Sequence, residues 1–197
     1  MKVIGITGGV GAGKSSVLGF ISSNYNCEII YADSLAASLQ KKGGSCYQPL
    51  IDLLGDRIIA SDGEIDRKLM ASIVFSDESL LGKVNDIVHP KVKDYIVDRI
   101  AKLREENTVN YFFIEAALLI ECGYREIVDE MWYIYASEDV RRERLKKSRG
   151  YSDEKIDSIF KSQLSDDFFR QSSDVVIDNS MDEESTNKQI RANLHEF

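Results

Sequence analysis

Gly8-Gly9-Val10-Gly11-Ala12-Gly13-Lys14-Ser15 is the stretch of this 197-residue chain that decides its fold. It fits the pattern G-x-x-x-x-G-K-[ST]. The residues before it, Val3 to Thr7, are apolar and rich in branched side chains, which predicts a buried strand. Ser16 to Ile21 then begins a predicted helix. A glycine-rich turn from a strand into a helix is the context in which this pattern forms a phosphate-binding loop, or P-loop.

The residue types of the P-loop (residues 8–15) match what a triphosphate needs, which is several hydrogen-bond donors converging on it. Glycines let the backbone N–H groups turn inward, and the following helix adds its free N–H groups and its dipole. Lys14 is expected to reach the β- and γ-phosphates, and the Ser15 hydroxyl to bind Mg²⁺. The predicted ATP contacts in this region are Gly8, Gly9, Gly11, Ala12, Gly13, Lys14, Ser15 and Ser16. A glycine-rich turn without a ligand is the alternative.

The composition is that of an acidic globular protein. Hydrophobic residues make up 43% of the chain, charged residues 29%, and the formal net charge is −8. This charge argues against nonspecific binding to nucleic acid or to an anionic membrane. A phosphate site in such a chain must collect its positive charge locally.

Cysteine usage and hydropathy indicate the compartment. Cys27, Cys46 and Cys122 are widely spaced and form no C-x-x-C pair, which fits a reducing environment and neither a disulfide framework nor a zinc site. The first predicted strand lies so near residue 1 that we expect no signal peptide, and no apolar run approaches the length of a membrane span. We therefore expect a cytoplasmic protein, and a monomer.

Four more apolar stretches predict strands that alternate with helices: residues 27–31, 110–115, 130–136 and 174–178. This alternation predicts an α/β fold with a five-stranded parallel sheet flanked by helices. Asp33 follows the second strand, Glu115 closes the third and Asn179 follows the fifth. Ligands of such sheets bind at the carboxyl ends of the strands.

Two of these strand-end acids each have two interpretations. Asp33 is either an acid or base in catalysis or the cap of a helix expected from residue 35. Glu115 either holds Mg²⁺, usually through water, or caps a helix expected over residues 116–121.

Residues 45–105 show helical spacing of apolar residues and no good strand, which predicts a helical insertion between two strands of the sheet. Its helices are expected over 49–54, 66–75, 80–88 and 91–103. Arg67 and His89 stand out within it. A lone histidine beside a proline, as in His89-Pro90, is more often a turn or capping residue than a binding residue.

A basic run follows the fourth strand. Residues 141–150 carry six positive residues and one negative residue. The run predicts either a solvated helix face or a basic lid that closes over phosphates and places an arginine in the transition state. Another helix is expected from Ser152 to about Leu164. The final helix, about 182–196, is expected to dock through Ile190, Leu194 and Phe197.

The chain resembles the dephospho-CoA kinases, the last enzymes of coenzyme A biosynthesis. The resemblance covers nearly the whole chain, and its most specific parts are D-G-x-I-D-R at residues 62–67 and I-V-H-P at residues 87–90. The P-loop, Ala32-Asp33 and residues 174–179 also match. No N/T-K-x-D segment for guanine recognition accompanies the P-loop, which argues against a GTPase.

The resemblance implies transfer of a phosphoryl group from ATP to the ribose 3′-hydroxyl of dephospho-CoA. Asp33 matches the family's catalytic acid, while Lys14 and Arg144 stabilise the transferring group. The insertion, with Arg67 and His89, accepts dephospho-CoA. The lid and the loop after Asn179 would lie near the adenine of ATP, and Arg144 and Asn179 are expected ATP contacts.

The predicted organisation is a single P-loop kinase domain over residues 1–197. Its core comprises about 1–40, 106–137 and 171–197, its acceptor-binding insertion about 41–105, and its lid about 138–170. Three positions depart from the family pattern by lacking a basic side chain: Ala37, Ser148 and Phe169. The alternatives are another P-loop kinase, acting on a nucleotide or small metabolite, and an ATP-binding module without phosphotransfer.

Overall fold

Five parallel strands form one sheet in the computed structural model, which describes residues 1–195. The strands are β1 (Lys2–Thr7), β2 (Cys27–Tyr31), β3 (Tyr111–Glu115), β4 (Glu130–Tyr135) and β5 (Val175–Asp178). Their order across the sheet is β2-β3-β1-β4-β5. The predicted α/β fold and all five predicted strands are confirmed.

Helices flank the sheet and follow most of the strands. They are α1 (Lys14–Asn24), α2 (Ala32–Leu39), α3 (Tyr47–Leu54), α4 (Arg67–Phe75), α5 (Glu78–Glu106), α6 (Glu138–Arg149), α7 (Asp153–Ser162), α8 (Asp166–Gln171) and α9 (Glu183–Asn193). Side chains of Asp66, Ser152, Ser165 and Asp182 cap α4, α7, α8 and α9 by accepting backbone N–H bonds. Within residues 1–195, none of these helices combines the length and apolarity that a membrane crossing requires.

The central strand β1 carries the P-loop at its carboxyl end. It pairs in parallel with β3 on one side and β4 on the other, so that Gly5 lies beside Ile114 and Met131. Five of its six residues are buried. The register also places Glu115, the last residue of β3, beside Ile6. The P-loop therefore leaves the middle of the sheet with Glu115 next to it.

The chain divides into two compact units. The first consists of residues 1–30 and residue 103 onward, and contains the sheet, α1 and the helices after β4. The second consists of residues 31–102 and is built from α2, α3, α4 and most of α5. The division into core, insertion and lid that the sequence suggests stays a prediction.

One long helix, α5, replaces the two helices predicted over 80–88 and 91–103, and Pro90 lies inside it. A proline inside a helix removes one backbone hydrogen bond and costs about 3 kcal/mol. A buried apolar stripe continues across the proline and offsets this cost. The stripe consists of Val84, Val88, Val92, Ile96, Ile100 and Leu103. The expectation of a turn or cap at His89 is therefore wrong.

The prediction of a helix over residues 116–121 is also wrong, because this segment forms consecutive turns. A short 3-10 helix follows at Tyr124–Glu126. The side chain of Leu119 is fully buried and packs where Gly5 leaves space beside β1. A tight turn brings Leu119 to this position within a few residues of the strand end. Glu115 therefore caps no helix.

The C-terminal third of the chain differs from the prediction in one helix. The helix predicted to Leu164 ends at Ser162, and the separate short helix α8 follows because Ser165 caps a new start. Ile190 of the last helix and Leu194, the residue after that helix, are buried in the core, as predicted. Phe197, the third predicted contact, lies outside the described residues.

A matched pair of glycine substitutions tests the packing around β1. A Cβ at Gly5 would lie 2.6 Å from Leu119 Cδ2 and 3.0 Å from Met131 Sδ, whereas a Cβ at the helical residue Gly82 meets nothing within 4 Å. We expect Gly5→Ala to lower the free energy of unfolding by about 1–3 kcal/mol through overpacking. Gly82→Ala should raise it by about 0.5–1 kcal/mol through helix propensity. Urea unfolding measures both, and a Gly5→Ala variant as stable as wild type would contradict the packing described.

Candidate active site

The P-loop turns from β1 into α1 through a left-handed glycine. Gly13, the residue before α1, has φ 90°, and a Cβ there would collide with the side-chain amide of Asn179. Its carbonyl accepts the N–H groups of Ser16 and Val17, at 3.0 and 3.2 Å. Only glycine combines this backbone conformation with this close approach.

Backbone donors of the loop are available to a ligand. Within the described chain, the N–H groups of Gly11, Gly13 and Ser15 donate to no protein acceptor. They belong to the glycine-rich turn and to the first turn of α1, where the helix dipole adds positive potential. Converging free N–H groups of this kind bind phosphate oxygens.

Lys14 lies across the loop that it follows. Its Nζ donates to the carbonyl of Gly8 at 2.8 Å and lies 3.6 Å from Oε1 of Glu115. The Lys14 and Glu115 side chains are only 14% and 18% exposed. The partly buried ammonium is therefore held over the P-loop by one carbonyl and one carboxylate.

Residues from two distant segments meet at the end of the P-loop. The side-chain amide of Asn179, just after β5, donates to the carbonyl of Ala12 at 2.8 Å. Arg144 of α6 donates to the same carbonyl at 3.3 Å and to the carbonyl of Asn179 at 2.9 Å. Asn179 is buried, and its Oδ1 accepts the Thr186 hydroxyl at 3.0 Å. The structure thus brings the predicted ATP residues Arg144 and Asn179 to the P-loop.

A cavity of about 610 Å³ opens beside this junction. Its walls include Gly13, Phe20, Arg144, Asn179, Met181 and Asn187. The volume is within the range of small-molecule sites. An exposed methionine, a partly apolar wall from α1 and a fixed guanidinium suit a flat aromatic group next to a phosphate chain.

The oxygen groups near the P-loop fit a magnesium ion bound mainly by phosphate and water. Ser15 is exposed at the start of α1, and the Glu115 carboxylate lies beside Lys14. No group of three or more His, Cys, Asp or Glu side chains in residues 1–195 could hold a metal by itself. Mg²⁺ prefers hard oxygen ligands and keeps several waters when it accompanies phosphates, so a pair such as Ser15 and Glu115 suits it.

The three predicted acceptor residues lie in the second unit. Asp33 is the exposed second residue of α2, a helix whose N-cap residue is Tyr31 and which has no side-chain cap. The capping interpretation of Asp33 is therefore wrong. Arg67 is the exposed first residue of α4, and His89 is half-buried within α5.

A second cavity, of about 380 Å³, opens beside Arg67. Ala37, Gln40, Lys41 and Glu64 also contribute to its walls. Ala37 is one of the positions that lack the basic residue of the family pattern, and Lys41 follows shortly after the end of α2. The lining of the cavity therefore includes the cationic side chains of Arg67 and Lys41 beside the carboxylate of Glu64.

Arg141 is the residue whose position the sequence did not indicate. The sequence placed it in the basic run with its neighbours, but in the structure it is buried beneath the P-loop. Its spacing of four residues from Leu145, the buried apolar residue of α6, is the signal that puts it on the inner face of the helix.

Comparison with known proteins gives one consistent family. A family model described as dephospho-CoA kinase (CoaE) matches residues 2–184. The dephospho-CoA kinase of Aquifex aeolicus is 37% identical, in an alignment that covers 97% of this chain and 95% of the relative. That of Carboxydothermus hydrogenoformans is 34% identical over 100% of this chain and 95% of the relative.

Solved structures agree with the fold. A protein from Thermus thermophilus superposes with a TM-score of 0.80 at 26% identity, covering 99% of this chain and 98% of that one. A dephospho-CoA kinase from Campylobacter jejuni gives 0.70 at 22% identity, with 96% and 94% covered. A shikimate kinase from Bacteroides thetaiotaomicron gives 0.55 at 11% identity, with 98% and 95% covered. The last two show the fold alone, that of P-loop kinases.

The Asn179 amide offers a test of the loop junction. Asn179→Ala removes the donor to the Ala12 carbonyl and the acceptor of the Thr186 hydroxyl, so we expect ATP affinity to fall about tenfold or more. Isothermal titration calorimetry with ATP measures this. Asn24→Ala is the control, because Asn24 lies at the same cavity but its amide bonds only within α1, to Phe20. Equal losses in both variants would assign the effect to the cavity wall instead of the junction.

Proposed function

Because this chain belongs to the dephospho-CoA kinase family, it is an ATP-dependent kinase, and we propose that it transfers the γ-phosphoryl group of ATP to the ribose 3′-hydroxyl of dephospho-CoA. The products are coenzyme A and ADP. The observation that carries this proposal is the family match over residues 2–184, which includes the P-loop and both segments of the acceptor-side resemblance.

The P-loop binds the triphosphate of ATP in this proposal. The free N–H groups of Gly11, Gly13 and Ser15 surround the phosphate oxygens, and the dipole of α1 favours their charge. Lys14 moves from the Gly8 carbonyl to the β- and γ-phosphates, a short shift for an ammonium on a flexible stem. There it stabilises the negative charge of the transferring group.

Ser15 and Glu115 would hold Mg²⁺ together with phosphate oxygens and water. When bound, the ion neutralises phosphate charge and aligns the β- and γ-oxygens. Glu115 also keeps Lys14 in the mouth of the loop, because their opposite charges attract across 3.6 Å.

Arg144 has two roles in the proposal. Its guanidinium is held by the carbonyls of Ala12 and Asn179. Because the side chain is already ordered beside the P-loop, it loses little conformational entropy when ATP binds. It stacks on the adenine at the cavity that Met181 and Asn187 border, and its charge supports phosphoryl transfer.

Asp33 accepts or orients the proton of the acceptor hydroxyl. As an exposed carboxylate in the first turn of a helix, without a capping bond, it is available to a substrate. Arg67 and His89 bind dephospho-CoA, and the cationic wall that Arg67 and Lys41 give to the second cavity suits the phosphates of that acceptor.

The proposed setting is the cytoplasm, with the chain acting as a monomer. Its three cysteines form no disulfide, and burial raises the pKa of the Cys27 and Cys46 thiols, which favours the uncharged form. Free thiols of this kind suit a reducing compartment.

A coupled assay of ADP release tests the function directly. With Mg²⁺ and ATP, we expect ADP release to depend on dephospho-CoA, because the acceptor hydroxyl completes the reaction. Mass spectrometry should show a product heavier than dephospho-CoA by one phosphoryl group. Nucleoside monophosphates and shikimate serve as control acceptors. If any of these acceptors gives faster ADP release than dephospho-CoA, the proposed acceptor is wrong. If ATP binds without any turnover, the proposed kinase activity is wrong.

Asp33→Asn tests the catalytic acid. We expect kcat to fall about a hundredfold or more at saturating acceptor, because the amide cannot take a proton, while ATP affinity stays unchanged. Asp86→Asn, a change of another exposed aspartate in the second unit, should retain full activity. Turnover close to wild type in Asp33→Asn would remove this residue from the chemistry.

A further inference from the structure

The basic run of α6 separates into side chains with opposite surroundings. Arg142 faces outward and pairs with Glu138, Asp153 and Asp157 at 3.1, 3.0 and 2.6 Å. Such pairs neutralise the charge at the surface, as expected of a solvated helix face. Arg141, the residue before it in the chain, is buried and only 8% exposed. A solvated helix face therefore does not explain the contacts of Arg141.

Arg141 lies directly behind the P-loop. Its Nε donates to the carbonyl of Val10 at 3.0 Å, and one terminal nitrogen donates to Oε1 of Gln163. The guanidinium carbon is 4.3 Å from the ring centroid of Phe160. The group fits so closely against Gly9 that any side chain there would collide with it. One rigid fork therefore contacts both the P-loop and the segment after α6.

No carboxylate of the described residues lies within ion-pair distance of Arg141. The carboxylates of Asp166 and Glu138 act on it only from a longer distance, and Asp166 accepts the Tyr133 hydroxyl at 2.7 Å. Burial lowers the pKa of Arg141 and raises that of Tyr133, so the phenol stays neutral and offers Arg141 no negative charge. A buried cation that no carboxylate contacts is stabilised when a further anion comes near. The phosphates of a nucleotide in the P-loop provide such an anion.

The contact with Val10 belongs to a regular pattern. The carbonyls of Gly8, Val10 and Ala12 accept side-chain donors from Lys14, Arg141 and Asn179, respectively. Alternate carbonyls are thus each hydrogen-bonded to a side chain, while N–H groups between them remain available. Arg141 holds the central carbonyl of the three.

The other contacts of Arg141 lie in one short segment. Phe160 belongs to the last turn of α7, and Gln163 is the residue that ends this helix. The segment from Tyr151 to Gln163, which we term the α7 segment, lies within the predicted lid. Arg141 therefore joins the P-loop to the part of the chain proposed to close over the nucleotide.

We propose that Arg141 is a positioning residue that couples occupancy of the P-loop to the order of the α7 segment. The proposal rests on ATP binding at the P-loop, as in the proposed function. Phosphates that bind to the N–H groups of the loop fix Val10 and compensate the charge of Arg141. The guanidinium then holds Gln163 and Phe160 in place, which orders the α7 segment over the site and excludes water.

Hydrogen exchange tests this coupling without the acceptor. Backbone amide exchange is measured by mass spectrometry with and without a non-hydrolysable ATP analogue and Mg²⁺. In the wild type we expect the analogue to slow exchange in both the P-loop and the α7 segment, by about fivefold or more. In Arg141→Gln the P-loop should still respond, while the α7 segment exchanges at its unliganded rate.

Three further variants separate coupling from folding and from charge. Gln163→Leu removes the far end of the link without touching the P-loop, and should also abolish the response of the α7 segment. Arg141→Lys keeps the charge but cannot reach both acceptors as a fork, so it should fail in the same way. Lys147→Gln removes an exposed cation of the same helix that forms no ion pair in the described residues, and it should respond like the wild type.

The outcomes distinguish this proposal from the function. A wild-type α7 response in Arg141→Gln or in Arg141→Lys overturns the coupling, as does a lost response in Lys147→Gln. If circular dichroism shows that Arg141→Gln is unfolded, the exchange result for Gln163→Leu decides alone. ADP release that ignores dephospho-CoA would refute the acceptor while leaving the exchange result intact, because the exchange experiment contains no acceptor.

Discussion

Backbone carbonyls of the P-loop must be held away from the phosphates, and the rest of the site depends on this constraint. A glycine-rich loop has no side chains of its own to fix its peptide planes, and free glycines cost conformational entropy to order. Here the carbonyls of Gly8, Val10 and Ala12 each accept a hydrogen bond from a side chain. The donors come from the first helix, from α6 and from the end of β5. The phosphate site is thus a product of the whole first unit instead of a local motif.

The sequence predicted the parts of the molecule that local rules determine. The turn at Gly13, the strands on either side of the P-loop segment and the helix cap at Ser152 follow from residue type and spacing within a few positions. Strand-end placement also brought Asn179 and Glu115 to the correct edge of the sheet, because parallel strands share that edge. These features required no knowledge of distant contacts.

Long-range packing decided what the sequence did not predict. Pro90 stays inside α5 because the buried stripe on both sides outweighs one lost hydrogen bond. The segment after Glu115 forms turns because Leu119 fills the space that Gly5 leaves, 114 positions away in the chain. Arg141 carries the same charge as Arg142, and only the tertiary structure reveals which of them is buried. The sequence shows how many charged residues a helix carries, but the burial of each side chain decides what that cation does.

The supports of the P-loop also fix when the site can exist during synthesis. Val10 is 131 positions from Arg141, and Ala12 is 167 positions from Asn179. A nascent chain that has emerged only as far as α5 has the complete motif but neither of these donors. Nucleotide therefore has little to bind until β5 leaves the ribosome, and its stabilising effect begins only with the finished sheet. The first residues to be made become functional last.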